Sequence, residues 1–339
     1  MSRHPTTYIA VQAVAPGQLE LTQKPLVDPA VGQVRLRVEA CGVCHSDAAT
    51  VEGVFPIQWP RVPGHEVVGV IDAVGSNVEG WRLGQRVGVG FLGGSCGHCA
   101  ECRGGDLVNC RNQEFTGIHH DGGYAQYMLA RASSLVSIPD GLASEDAAPL
   151  LCAGLTTFSA LRNSPARAGD LVAVIGIGGL GHLAVQFARR MGFEVVAIGR
   201  GPDKGGLAEK LGAHHYIDSS AITVASALQD LGGAHLVVVT ASGGRPVADA
   251  VKGLRPRGRI IALGASPEPV DIATSDLLFG GRSVEGALTG DPATADATLR
   301  FSSLADVAAM IETMPLEHAP EAYRKMMAGE ARFRIVLTM

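Results

Sequence analysis

The chain has 339 residues, 46% hydrophobic and 18% charged, with a formal net charge of −5. That length suits two domains, and the mild acidity gives no reason to expect nucleic acid or an anionic membrane as partner. Seven cysteines, an odd number clustered at metal-ligand spacing, fit a reducing compartment such as the cytoplasm better than a disulfide framework.

Met1 to Tyr8 lacks the apolar core of a secretion signal. Residues 1–150 read as mainly β. Apolar runs at Val34–Val38, Val67–Ile71 and Arg86–Val89 stand between Gly and Pro turn signals, the pattern of a small, partly open barrel. From about residue 169 the texture changes. Leu171–Ile175 reads as a buried strand followed by a helix over 179–191. The apolar stretch from Leu171 to Ala188 is broken by glycines and His182, so it is no membrane span. Next come a strand at Glu194–Ile198, a helix at Lys204–Leu211 and a strand at His215–Ile217. A helix at 222–231, a strand at Leu236–Val239, a helix at 245–254 and a strand at Arg259–Leu263 complete the alternation. Strands alternating with helices imply a parallel sheet covered on both faces. After Gly286 the pattern predicts helices over 292–301 and 303–313 and a closing strand at Phe333–Leu337. There is no internal repeat and no low-complexity tract.

The densest motif is Cys96, Cys99 and Cys102, closed by Cys110. Three soft ligands two residues apart and a fourth further on can wrap a tetrahedral metal centre. Quieter signals surround it: Cys41 and Cys44 followed by His45, Ser46 and Asp47; Gly64-His65-Glu66; and an isolated Cys152. The Cys-x-x-Cys-His string also matches haem attachment, but nothing else in the chain suggests a haem pocket or export. Two thiolates and one imidazole from separate segments would leave a fourth position open, as a catalytic zinc requires.

Gly176-Ile177-Gly178-Gly179-Leu180-Gly181 leaves a predicted strand and opens a predicted helix, the context in which such a loop cradles a dinucleotide pyrophosphate. An NAD site carries an acid at the tip of the second strand. Here that tip is Gly199-Arg200, with Asp203 and Lys204 beyond it. The missing acid and the two cations favour NADP(H), with NAD(H) the alternative; Asp203 complicates the choice because it could reach a ribose hydroxyl.

These motifs together resemble the zinc-dependent medium-chain alcohol dehydrogenases, nearest the cinnamyl-alcohol-dehydrogenase-like branch, over essentially the whole chain. A Cys₂His catalytic zinc is the family's known arrangement. The resemblance implies an α/β protein: a GroES-like β-barrel catalytic domain (1–151 and 288–339) and a Rossmann doubly wound parallel-sheet domain (152–287). It implies two zinc ions per chain, the catalytic one on Cys44, His65 and Cys152 and the structural one on Cys96, Cys99, Cys102 and Cys110. Glu66 would lie behind the catalytic metal, Asp47 would hold the far nitrogen of His65, and Cys41 would be a packed bystander. Ser46 would take the alcohol proton. Thr156 would touch the nicotinamide with Leu180 behind it, and His45 and Arg334 would face the pyrophosphate. Family position and apolar character nominate Phe55, Trp59, Phe91 and Leu288 for the substrate pocket.

The implied reaction moves a hydride between a primary alcohol (medium-chain, aryl or allylic) and the nicotinamide, in a dry cleft between the domains. The chain departs from many relatives by carrying Ala49 where a proton-relaying histidine would stand. It also has Gly199 where the NADP-preferring branch often has serine. A zinc-independent quinone or enone reductase on the same fold has no need of the ligand set, and a non-enzymatic protein has no need of Ser46 beside an open metal. A homo-oligomer, dimer or tetramer, is expected, with the strand near Arg282–Glu285 as a candidate edge.

Overall fold

A computed structural model describes residues 5–339; the first four residues of the leader reading, Met1 to His4, lie outside them. The backbone divides into two compact units, Met1–Leu155 with Thr289–Met339, and Thr156–Leu288.

The first unit is built on one long strand, Gln33–Val43, which pairs antiparallel with Val67–Val74, Tyr127–Arg131 and Arg334–Thr338. Arg86–Val89 and Leu135–Ser137 extend the sheet beyond Val67–Val74, and Ile311–Pro315 extends it beyond Arg334–Thr338. Alternating apolar residues, among them Val34, Leu36, Val38, Val67, Ile71 and Ile335, are withdrawn from water into one core. The register of this sheet positions chemistry. Cys41 stands opposite both Val67 and Leu337, and Val43 stands opposite Ile335. The segments carrying Cys44, His65–Glu66 and Arg334 therefore converge at one end of the long strand.

The second unit is a six-stranded parallel sheet. Its order is His215–Asp218, Glu194–Gly199, Leu171–Ile175, Ala234–Val239, Leu254–Ala262 and Ser283–Gly286. Numbered along the chain this is 3-2-1-4-5-6, the doubly wound order in which ligands bind where the winding reverses, beyond the end of the first strand. Leu171–Ile175 is buried at every position, which is why it reads as a continuous apolar run.

The structure corrects the reading after Gly286. One helix, Pro292–Ala305, covers the first predicted helix and ends where Asp306 turns left-handed (φ 54°), its N–H closing on the Ser302 carbonyl. The second helix predicted over 303–313 does not form: the first runs on to Ala305 and the chain leaves the helix at Asp306. Ile311–Pro315 is a strand held parallel to Arg334–Thr338, so tertiary pairing overrides the local apolar spacing. A helix that sequence reading did not pick out follows at Ala319–Met327, entered through Pro320 in its first turn. Among the described residues no helix is long and apolar enough to cross a membrane.

Candidate active site

Cys44 leaves the long strand and opens a short turn, His45–Asp47. The turn buries Cys44 and Asp47 while exposing His45 and Ser46. His65 and Glu66 immediately precede the strand Val67–Val74, and Cys152 lies between the turn Ala148–Leu151 and the helix Ala153–Arg162. The ligand atoms of Cys44, His65, Glu66 and Cys152 all fall within 4.8 Å of one another.

The imidazole is oriented from behind. His65 Nδ1 lies 2.9 Å from Asp47 Oδ1. A carboxylate can only accept, so Nδ1 donates to it and Nε2 is the nitrogen left for a metal. That buried Nε2 has no hydrogen-bond partner among the described residues. An orphaned buried polar atom calls for an explanation, and a bound cation would be one. The two thiols supply the rest of the fit, with Cys44 Sγ and Cys152 Sγ 3.9 Å apart. Metal–sulfur bonds of ~2.3 Å in a tetrahedral site place sulfurs ~3.8 Å apart.

Hydrogen bonding to Cys152 holds the Cys44 thiol well below its usual range against the effect of burial, with His65 helping. The same bond, together with burial, pushes Cys152 up. Burial disfavours charge on His65, but Asp47 and Cys44 outweigh it and raise its pKa. Burial outweighs the opposing pull of Arg334 and brings Glu66 up to about 7. Arg334 is itself buried and gives an N–H to Glu66 Oε1, leaving Oε2 without a partner among the described residues.

The four-cysteine lobe is a separate cluster whose sulfurs also lie within 4.8 Å of one another. A two-stranded ladder, Leu92–Gly94 with Glu114–Phe115, closes its base. Backbone N–H groups of Cys96 and Asn112 point at Cys110 Sγ (both 3.3 Å), and that of Cys99 at Cys96 Sγ (3.4 Å). Such donors favour thiolates, and backbone N–H groups of His98 and Cys99 bring Cys96 down to about 6. All four donors are thiols, so a metal here would have no open position.

In the second unit Gly176 has φ +94°, and its N–H bonds the Ile198 carbonyl at 2.9 Å. A Cβ on Gly181 would stand 1.7 Å from the Gly176 carbonyl oxygen, whereas one on Gly178 would meet nothing within 4 Å. The loop thus packs tightly where strand meets helix and stays open at Gly178. Gly179 and Leu180 follow, and the helix runs Gly181–Arg190. Arg200 and Lys204 are exposed and make no ion pair among the described residues. A Cβ on Gly199 would lie 3.0 Å from the Tyr216 hydroxyl and 3.4 Å from Lys204 Cδ, so these groups fill the place of an acid at the tip. Asp218 Oδ1 accepts from the Gly201 N–H and from the Ser220 N–H and hydroxyl. Thr156 gives its hydroxyl to the Leu288 carbonyl at 3.4 Å.

Of the apolar pocket candidates, the structure puts Phe91 directly on the site. Its ring meets His65 edge-on at 4.9 Å and stacks on Phe115 at 4.5 Å. Ala49 and Ile118 are buried in the same cluster. Trp59 packs on Gly53 and donates its indole N–H to the Thr50 carbonyl, while Phe55 and Leu288 are exposed. Tyr124 was not singled out in the sequence, yet its buried hydroxyl donates to Asp47 Oδ2 at 2.9 Å. A cleft of about 470 Å³ elsewhere in the first unit, lined by Lys24, Arg35, Arg61 and Tyr127, contains none of these residues.

Residues 30–140 match the alcohol dehydrogenase GroES-like domain, and residues 179–303 the zinc-binding dehydrogenase family. An alcohol dehydrogenase of an Aspergillus species is 43% identical over 321 residues, spanning 95% of this chain and 94% of its own. One from Geobacillus stearothermophilus is 38% identical over 332 residues, spanning 97% and 98%. Among solved structures, a cinnamyl alcohol dehydrogenase from Sorghum bicolor superposes with a TM-score of 0.89 at 29% identity, covering 98% of this chain and 97% of that one. The chain belongs to the zinc-type medium-chain alcohol dehydrogenases, built from a GroES-like and a Rossmann-type domain. Its activity is that of an alcohol dehydrogenase, acting on small-molecule alcohols or aldehydes.

Proposed function

We propose that this enzyme is zinc-dependent, holds two zinc ions per chain, and interconverts primary alcohols and aldehydes with NADP(H). The observation that carries this reading is His65 Nε2, buried, unpartnered among the described residues and converging with two thiols at tetrahedral spacing. Cys44, His65 and Cys152 would hold the catalytic metal, with Glu66 behind it. Cys96, Cys99, Cys102 and Cys110 would hold the structural one. Bound at the trio, zinc supplies the Lewis acidity that makes a coordinated hydroxyl acidic near neutral pH, and the dinucleotide supplies the hydride carrier.

The protein's own groups do the rest. Asp47 keeps the proton on Nδ1 and so keeps Nε2 available. Ser46, exposed beside the buried Cys44, takes the substrate proton. Ala49 has no proton to pass on, so the onward path from Ser46 would use the cofactor ribose and water, or another group. The Phe91–Phe115 stack against His65 supports aryl, allylic or medium-chain substrates over polyols. In the Rossmann-type unit, the glycine loop would take the pyrophosphate at the helix N-terminus, with Thr156 and Leu180 toward the nicotinamide. Arg200 and Lys204, unpaired beside a strand tip without an acid, support NADP(H). The second reading, NAD(H), draws on Asp203 and Asp218, but Asp218 is engaged by its own loop. Copies of the chain would pair along the edge strand Ser283–Gly286, in the cytoplasm.

Metal analysis of the purified protein should give two zinc ions per chain, and Cys44→Ala should hold one and lose turnover. Full activity in that variant would end the catalytic assignment.

A further inference from the structure

We propose that Tyr124 is a positioning residue: through Asp47 its hydroxyl fixes the tautomer and orientation of His65, so that metal retention at Cys44, His65 and Cys152 depends on it. The inference rests on the catalytic-metal reading given above. Its basis is the way the Asp47 carboxylate is filled. Oδ1 accepts from His65 Nδ1 (2.9 Å) and from the Gly64 N–H (3.2 Å). Oδ2 accepts from the Cys44 N–H (2.9 Å) and from the Tyr124 hydroxyl (2.9 Å). A carboxylate offers about four lone-pair sites, and here four donors from three places in the chain use them. Two donors come from metal-ligand segments themselves, through Cys44 and His65. Gly64 precedes His65 in the chain. Tyr124 alone enters from outside those segments.

That outside anchor is rigid. Tyr124 has 0% exposure. Its N–H bonds the Pro63 carbonyl at 3.0 Å, and its carbonyl accepts from Val11 at 2.8 Å. The ring lies against Gly64, where a Cβ would come within 2.5 Å of Cδ1 and 2.8 Å of Cys41 Sγ. A phenylalanine could fill the same space and make every one of these backbone contacts. What it could not do is hold Oδ2, so Asp47 would be free to turn toward the Cys44 N–H and loosen its grip on Nδ1. Groups that orient metal ligands typically change metal affinity by about 10–100-fold when removed. Tyr124 acts one bond further back, which sets the expectation at about tenfold.

The test is Tyr124→Phe in the full-length protein, with zinc retention followed against a competing chelator and cobalt(II) substituted at the weaker site. Wild type should release two zinc ions in distinguishable steps. Y124F should hold the four-cysteine zinc unchanged, release the other about tenfold more readily, and shift the visible cobalt bands. A purely structural tyrosine would lower the unfolding temperature without selecting one metal. Two zinc ions retained as in wild type, with unchanged cobalt bands, would overturn the role of Tyr124. A wild type that holds a single zinc, or a His65→Ala variant that keeps both, would instead overturn the catalytic-metal reading, and the inference with it. Should Y124F fail to accumulate, Asp47→Asn tests the same chain of contacts from its centre, and wild-type retention in that variant would sink the idea.

Discussion

Two glycines of the nucleotide loop, three residues apart, should fail in opposite ways when each becomes alanine. At Gly181 the added Cβ would sit 1.7 Å from the Gly176 carbonyl oxygen and 2.8 Å from its carbon. Normal contact is beyond 3 Å, and the obstacle is backbone, so strand end and helix start must part by more than an ångström. Overpacking of this kind costs ~1–3 kcal/mol. The upper end applies here because no side chain can swing aside. At roughly 2–4 °C per kcal/mol for a domain of this size class, G181A should lower the unfolding midpoint by about 6–12 °C. At Gly178 the Cβ would meet nothing within 4 Å, and the residue's φ is not positive. G178A should fold with wild-type stability, within about 0.5 kcal/mol. Its methyl group would occupy the open face where a pyrophosphate must approach the backbone. Dinucleotide affinity should then fall about tenfold or more, ~1.4 kcal/mol. Scanning calorimetry and nicotinamide fluorescence titration separate the two effects. If G178A binds dinucleotide as wild type does, or G181A is as stable as wild type, the division of labour within the loop is wrong.

Arg200→Ala should weaken NADP(H) about tenfold and leave NAD(H) within about twofold, about 1.0–1.4 kcal/mol of discrimination; equal losses for both cofactors would show that Arg200 does not read the 2′-phosphate. Cys110→Ser should cost one zinc and the order of the four-cysteine lobe, since metal binding there is folding free energy; an unchanged zinc count by metal analysis would refute it. A pH dependence follows from His214 and His235, whose Nδ1 atoms accept the N–H groups of Val195 (2.9 Å) and Leu171 (3.0 Å) on two strands of the parallel sheet. Burial lowers the pKa of both. Arg189 adds to this at His214, while at His235 Asp170 opposes it and Arg255 adds. A histidine depressed in the folded state favours the neutral form, so its contribution is intact above the unfolded pKa of ~6.5 and declines as pH falls below it. The unfolding midpoint of wild type should therefore drop more between pH 7.5 and 5.5, on the order of the window set by ~6.5, than that of a His214→Gln, His235→Gln double variant; parallel pH profiles would contradict this.

What the sequence disclosed and what it hid divide along a physical line. The four-cysteine lobe and the glycine loop were legible because their chemistry lies within a few consecutive residues. Leu171–Ile175 was legible because a doubly covered parallel strand is apolar at every position. Residues 303–313 were misread because apolar spacing there fits a helix as well as a strand. Only the neighbouring strand Arg334–Thr338 decides for Ile311–Pro315. Tyr124 gave no local signal: it is one aromatic residue after two glycines, and its importance comes from reaching Asp47 across 77 positions of sequence. Phe91 could be nominated by family position, but its seat on the His65 ring depends on the fold.

Glu66 carries the same lesson further. A carboxylate with 0% exposure needs compensation, and burial alone would drive it toward the neutral form. Arg334, 268 positions away, gives it one partner, and this pairing exists because the C-terminal strand returns to lie against Gln33–Val43 with Ile335 opposite Val43. The other oxygen, Oε2, sits where a Cβ on Gly42 would be, 1.9 Å away. Gly42 lies between the two cysteines of the Cys-x-x-Cys string, a place where sequence alone suggests nothing more than a flexible spacer. Its hydrogen atom makes the room that lets a buried acid stand within 4.8 Å of Cys44, His65 and Cys152. An alanine there would compete with the carboxylate for that space, and Arg334 would lose the anion that justifies its own burial. The spacer in the motif and the arginine near the chain's end are therefore one device, joined by the register of a single sheet.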